Sequence, residues 1–325
     1  MTTTKAIRIH ETGGPEKMHW EEIELAKPGP GQALVKVNVA GFNFVDIYFR
    51  TGLYPQPLPG GIGNEGAGVI AALGKGVKGL KVGDRVAWGT SPPLSYAEHA
   101  VIAADRLVPL PRGIDDKDAA AMMLKGMTAE YLLRRTYKVK KGDVIVVHAA
   151  AGGVGLIMCQ WAKALGATVI GTVSTDEKAA LAKKHGCKYP VVTTREDFAE
   201  VVKKVTKGKG VPVVYDSVGK DTFDKSMECL APRGILALFG QASGVVPPVP
   251  PAVLAKRCTY LTRPSLFVYC GTREELLASA KALFRVVKSG AVKIRINHTY
   301  KMEDAAQAHE DVASRKTTGS VVLVP

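Results

Sequence analysis

The chain has 325 residues, 46% of them apolar and 23% charged, which is too long for one simple core and suits two domains of ordinary globular composition. Its net charge of +14 fits the steering of anions such as a phosphorylated cofactor, or nonspecific affinity for nucleic acid. The lysines are spread along the chain, however, and no basic run carries interleaved aromatics for stacking on bases. No window reaches the length of a membrane span, and Met1-Thr2-Thr3-Thr4-Lys5 runs straight into a strand pattern without a signal-peptide core, so the expected compartment is the cytoplasm. The scattered cysteines (Cys159, Cys187, Cys229, Cys258 and Cys270) read as reduced core thiols.

From the N-terminus, residues 5–10, 33–40 and 68–73 alternate or run apolar between Gly/Pro turns, which predicts a β-rich first domain. Pro28-Gly29-Pro30-Gly31 is a turn between two of these strands. Pro55, Pro57 and Pro59 with Gly60-Gly61 form an irregular loop that could wall a cleft. A helical segment opens at Asp115, and the run Thr128 to Tyr137 carries the chain into a second domain. There the pattern changes. Strands at 144–147, 168–173, 213–216 and 235–239 alternate with helices at 154–165, 176–185, 196–206 and 221–230, the rhythm of a doubly wound parallel α/β sheet. Val245 to Pro251 is polyproline-like. Beyond Pro264 come a helix over 274–288, a strand near 293–300, a helix near 303–314 and a last strand over 319–324.

The chemistry concentrates in Val144 to Lys163. A continuous β-branched run, Val144 to Val147, suits a strand buried on both faces. Ala150-Ala151-Gly152-Gly153-Val154-Gly155 then keeps the spacing of the dinucleotide-binding turn, with alanine at the first glycine position. Bare backbone at Gly152 and Gly153 lets a pyrophosphate approach, Gly155 lets the helix lie close to the strand, and the helix N-terminus supplies free N–H groups and a positive dipole end. Ligands of such sheets bind beyond the strands' carboxyl ends, which selects Gly152-Gly153-Val154, Ser174-Thr175, Ser217 and Phe239-Gly240-Gln241. An NAD-selective fold carries Asp or Glu at the end of its second strand; here that position is Val173, while Ser174 can donate a hydroxyl to a 2′-phosphate. Asp176 and Glu177 are expected in the first turn of the next helix, where the dipole favours them. No closely spaced cysteines and no H-x-x-x-H pair suggest a metal, and His148 reads as a structural histidine.

Gly142-Asp143, the glycine turn, Gln160 and Lys163 resemble the signature of the NADPH:quinone oxidoreductases, the zeta-crystallin-like branch of the zinc-free medium-chain dehydrogenase/reductase superfamily. Gly13 to Glu16, Gly41 to Asp46, Gly52-Leu53-Tyr54, Val82 to Val86, Tyr215 to Gly219 and Thr262 to Leu266 fall in that family's order, so the resemblance spans the chain. It implies a Rossmann cofactor domain over 125–267 and a β-rich GroES-like catalytic domain over 1–124 and 268–325. It also implies NADPH as cofactor, a quinone or other conjugated carbonyl as acceptor, and a homodimer. Asn43, Asp46 and Tyr48 are implied to lie against the nicotinamide, with Tyr54 in the same cleft and Phe44 and Val45 among the cofactor contacts. An amide or hydroxyl there (Asn43, Tyr48, Tyr54) could hold the carboxamide, polarise a quinone oxygen or lend a proton.

Thr128, Arg263-Pro264-Ser265-Leu266 and Arg315 match further cofactor-contacting positions, and Lys178 matches a lysine that reaches the 2′-phosphate. Glu130 and Thr194 depart from the pattern, standing where relatives carry tyrosine. Zinc-dependent relatives use a cysteine shortly after the position of Asn43 and a Gly-His-Glu segment. This chain has no cysteine between Gly41 and Asp46 and has asparagine in Gly63-Asn64-Glu65, so no metal is expected. Two other activities share these features. One is reduction of the carbon–carbon bond of an alkenal or enone. The other is binding of AU-rich RNA, which is associated with zeta-crystallin-like proteins and suits the basic charge. The strand Ile235 to Phe239 is a candidate edge for pairing with a second copy.

Overall fold

In the computed structural model, which describes residues 2–90 and 94–325, the chain divides into two compact units. The first comprises Met1–Met127, Cys270–Lys288 and Ile294–Pro325, and the second Thr128–Tyr269 and Ser289–Lys293.

Antiparallel strands dominate the first unit. Gln32–Gly41 pairs with Glu65–Leu73, His99–Ala103 and Ser320–Val324, and the sheet continues through Arg85–Trp88 to Val108–Pro109 on one side and Ile296–Lys301 on the other. A separate sheet joins His19–Leu25, Thr2–Ile9 and Gly60–Gly61. Inward residues Ile7, Val35, Val37, Ile70, Val86 and Trp88 form one core, as the period-two alternation requires. Several elements here escape the sequence pattern, among them the strands His19–Leu25, Arg85–Trp88 and His99–Ala103 and the short helix Phe44–Arg50. Each is short or interrupted by polar residues, and tertiary pairing decides its state.

The second unit is built on a six-stranded parallel sheet in the order Cys187–Val192, Thr168–Val173, Val144–Val147, Val211–Asp216, Leu230–Leu238, Tyr260–Thr262. The chain enters at Val144–Val147, winds outward through two strands, then returns to the other side, which is the doubly wound order with its switch point beside the first strand. Ile145, Val146 and Val147 are fully buried, as expected of an unalternating run. Helices Gly153–Ala164, Asp176–Lys184, Phe198–Thr206 and Phe223–Glu228 follow successive strands.

Two strands of this sheet were not predicted. Cys187–Val192 contains Pro190, which lacks an N–H, and an outermost strand tolerates that loss. Tyr260–Thr262 is three residues long. Its presence corrects the expectation for Ile235 to Phe239. Ile235 to Leu238 belong to the strand Leu230–Leu238, which is paired on both sides, so the edge strand on that side of the sheet is Tyr260–Thr262 instead.

Candidate active site

In the second unit the carboxyl ends of the strands gather the predicted cofactor residues on one edge of the sheet. Ala149 to Gly152 turn the chain after Val144–Val147, Gly152 caps the helix Gly153–Ala164, and Val154 lies in that helix's first turn. Ser174 and Thr175 follow Thr168–Val173, and Ser217 follows Val211–Asp216. Phe239, Gly240 and Gln241 follow Leu230–Leu238, while Arg263 follows Tyr260–Thr262 and donates through Nη1 to the Leu238 carbonyl at 2.8 Å. Pro264, Ser265 and Leu266 lead into the short helix Leu266–Tyr269.

Gly155 shows why the turn must be bare. A Cβ there would collide with the Ala149 carbonyl oxygen and come within 2.7 Å of the Ala150 Cα, so glycine alone lets the helix start this close to the strand. The first N–H groups of a twelve-residue helix then face the space beyond the sheet edge, a cradle suited to a pyrophosphate.

At the end of the second strand Thr175 caps the next helix, its Oγ1 accepting from the Lys178 N–H at 3.3 Å. That puts Lys178 in the helix's first turn, beside the strand end that lacks a carboxylate. Asp176 and Glu177 share that first turn, and Asp176 is held by Arg195 through two bonds of 2.7 and 2.5 Å, so its charge is answered by a guanidinium. Arg195 escaped the sequence reading, because nothing in Thr194-Arg195-Glu196 marks it. Thr128 and Glu130 are buried in the helix Asp116–Tyr131, where Glu130 pairs with Arg134 and Arg135, an acid answered locally.

A buried polar network braces this edge. Asp216 accepts the N–H groups of Val218 and Gly219 on Oδ1, at 2.8 and 3.0 Å, and the hydroxyls of Thr222 and Ser226 on Oδ2, at 2.7 and 3.0 Å. Ser226 therefore accepts from His148 Nε2 at 2.8 Å, and His148 Nδ1 accepts from the Thr172 hydroxyl at 2.8 Å. The imidazole is neutral in this arrangement, and burial pushes its pKa down against the opposing pull of Asp216. His148 is thus structural, tying the first and second strands to the turn that follows Asp216.

The first unit holds the other predicted residues. Asn43 opens the helix Phe44–Arg50 in a capping box: its side chain faces the Asp46 N–H, and the Asp46 carboxylate takes the Asn43 N–H at 2.8 Å. Asp46 is fully buried. Its Oδ2 also accepts from the Tyr96 hydroxyl at 3.0 Å and its Oδ1 from Asn64 Nδ2 at 2.7 Å. Desolvation outweighs these donors and raises the Asp46 pKa to about 6, while burial and Asp46 together push Tyr96 well above the ordinary phenol range.

Asn43 Nδ2 donates to Glu65 Oε2 at 2.7 Å and to the Gly41 carbonyl at 3.5 Å. Both amide hydrogens point into the protein, so this amide does not offer a donor with which to polarise a quinone oxygen. Glu65 Oε2 also accepts from Lys125 Nζ at 2.7 Å, and Oε1 from the Leu124 N–H at 2.8 Å. Tyr48 packs edge-on against Phe44 and Tyr54, with ring centroids 5.5 and 5.2 Å apart. Val45 follows Phe44 in the same helix, and Arg315 sits beyond the helix Ala305–Ala313 with a left-handed φ of 62°.

Glu65, Lys125 and Tyr96 were not singled out from the sequence, and Asn64 was marked only as replacing a histidine ligand. The available signal was a charge in an apolar setting: Glu65 opens an otherwise apolar strand, and Lys125 interrupts Ala119 to Leu124. Zinc does not fit this donor set. Asn64 stands at the position of the histidine ligand and donates through Nδ2 to Asp46, and its amide oxygen is not among the thiolate, imidazole and carboxylate donors that zinc takes. Among the described residues, no group of three or more His, Cys, Asp or Glu side chains could hold a metal ion.

Comparison with known proteins agrees with this architecture. Residues 29–141 match the family model of the alcohol dehydrogenase GroES-like domain, and residues 153–280 that of the zinc-binding dehydrogenases. The chain is 50% identical over 323 residues to a quinone oxidoreductase of Pseudomonas aeruginosa, covering 99% of each protein. It is 45% identical to a 2-haloacrylate reductase of a Burkholderia species, covering 98% of each. A crystal structure of Escherichia coli quinone oxidoreductase complexed with NADPH superposes with a TM-score of 0.97 at 45% identity, over 100% of both chains. With matches of this identity over essentially its full length, the chain belongs to the quinone oxidoreductase family of the medium-chain dehydrogenases.

Proposed function

We propose that this protein is an NADPH-dependent reductase that passes hydride to a quinone without a metal. The reading is carried by the row of Gly152-Gly153-Val154, Ser174-Thr175, Ser217, Phe239-Gly240-Gln241 and Arg263 along one edge of a parallel sheet, with Lys178 and no carboxylate at the end of the second strand. It is supported by likeness to a relative crystallised with NADPH.

The glycine turn and the helix N-terminus would hold the pyrophosphate, Ser174 and Lys178 the 2′-phosphate, and the segment Asn43 to Asp46 the nicotinamide end. When bound, the cofactor supplies the hydride. The chain's own part is to orient the ring and acceptor and keep water away. Tyr48 and Tyr54 are the candidate hydroxyls for the proton that completes the reduction.

Steady-state oxidation of NADPH with phenanthrenequinone or a naphthoquinone, set against a 2-alkenal, tests the reading. Quinone turnover with the higher kcat/KM supports it, and turnover of the alkenal alone replaces it with reduction of an activated carbon–carbon bond. The 2-haloacrylate reductase relative favours keeping that second reading in the assay. The proposal includes a homodimer, for which the free edge strand Tyr260–Thr262, with Tyr260 58% exposed, offers a pairing surface. A sedimentation mass of one 34.6 kDa chain at micromolar concentration would refute the dimer.

A further inference from the structure

We infer that Lys125 and Glu65 are positioning residues for the nicotinamide end of the site, acting through Asn43. This rests on the proposal that the segment Asn43 to Asp46 contacts that end of the cofactor.

The chain of contacts is continuous and buried. The Lys125 side chain is 6% exposed and that of Glu65 is not exposed at all. Lys125 Nζ and Asn43 Nδ2 both donate to Glu65 Oε2 at 2.7 Å, while the Leu124 N–H fills Oε1 at 2.8 Å. Glu65 thus accepts from three donors, and only a carboxylate has acceptor capacity on both oxygens. A glutamine would turn an NH₂ group toward either Leu124 or Asn43, so one of these donors would lose its acceptor. The ammonium holds the carboxylate in place, the carboxylate fixes which way the Asn43 amide points, and Asn43 is the N-cap residue of the helix that presents Phe44 and Val45. A buried ion pair is weak evidence of stabilisation, because hydrophobic residues of similar volume often serve as well. An orienting role accounts for the third partner, Asn43, which a purely structural pair would not need.

The test uses the whole protein and the variants Lys125→Met, Asn43→Ala, the double variant Lys125→Met/Asn43→Ala, and the charge-free pair Glu65→Gln/Lys125→Met. The last leaves no unpaired buried charge, so it covers the case in which Lys125→Met alone fails to fold. Two quantities are read: kcat with the best acceptor, and the affinity for NADPH relative to 2′-phospho-ADP-ribose, which lacks the nicotinamide. Lys125→Met, or the charge-free pair, should lower kcat about ten- to a hundred-fold, the scale expected of a displaced reacting group. It should also reduce the preference for NADPH over 2′-phospho-ADP-ribose while leaving affinity for the latter within about threefold. Adding Lys125→Met to Asn43→Ala should then cost nothing more, since the path runs through the amide.

Additive losses in Lys125→Met/Asn43→Ala, equal losses for both ligands, or a charge-free pair with unchanged kcat and ligand preference would each overturn the inference. The binding readout needs no turnover. Absence of quinone reduction by the wild-type protein would therefore refute the proposed function, while the positioning role is decided by the ligand comparison.

Discussion

Asp46 offers a sharp test of the first unit's polar core. Its carboxyl is fully buried with a pKa near 6, set by desolvation against donors from Asn64, the Asn43 N–H and Tyr96 and the nearby charge of Lys125. The ordinary value is 3.8, so the folded protein holds this proton more tightly than the unfolded chain. The stability contributed by this proton is fully present below pH 3.8 and is lost as pH rises through 6. A shift of about 2 units corresponds to roughly 3 kcal/mol in all, of which roughly 1.3 kcal/mol falls between pH 5 and pH 7. Asp46→Asn removes the titration and keeps an acceptor for the Asn43 N–H. Asn64 carries a buried Oδ1 without a partner, so turning its amide over pairs it with the new side chain. Urea unfolding of the cofactor-free proteins at pH 5 and pH 7 gives the measurement. Wild type should lose about 1 to 1.5 kcal/mol more than Asp46→Asn over that interval, other titrating groups cancelling in the difference. Parallel profiles would mean that Asp46 titrates near its ordinary value. An opposite slope would mean that Lys125 and the three donors outweigh desolvation.

Other expectations concern the cofactor and metal. Lys178→Ala should lower kcat/KM for NADPH about ten- to a hundred-fold, from a charge-assisted contact of ~1.5–3 kcal/mol, and leave NADH almost unchanged; equal losses for both cofactors would put the phosphate site elsewhere. Gly155→Ala forces a Cβ against the Ala149 carbonyl and should cost about 1–3 kcal/mol of stability in urea while weakening NADPH binding; a wild-type dissociation constant would show that the turn can yield. Exhaustive chelation should leave quinone turnover intact, since Asn64 puts an amide where the imidazole ligand would be needed, and a requirement for stoichiometric zinc would overturn the metal-free reading.

The row of strand ends proposed to hold the nucleotide was legible in the sequence because local rules govern its placement. An unalternating apolar strand can only be buried in a parallel sheet, a glycine turn of fixed spacing can only start a helix close to that strand, and strand ends in such a sheet share one edge. Val144 to Gly155, Ser174, Ser217 and Gln241 follow from these rules with no knowledge of their distant partners. The edge strands were less legible. Cys187–Val192 and Tyr260–Thr262 are short and, in one case, carry a proline, so their state depends on the neighbours they meet.

Only tertiary structure decided the polar core of the first unit. Glu65 meets Lys125 across 60 residues and Asn43 across 22, and Tyr96 reaches Asp46 across 50. No periodicity encodes such distances. The sequence marked Asn43 as an amide able to donate, whereas the fold turned its hydrogens inward to Glu65 and Gly41. The physical reason is desolvation: a charge taken out of water must find its partners wherever the fold brings them, and those partners lie far away in the chain.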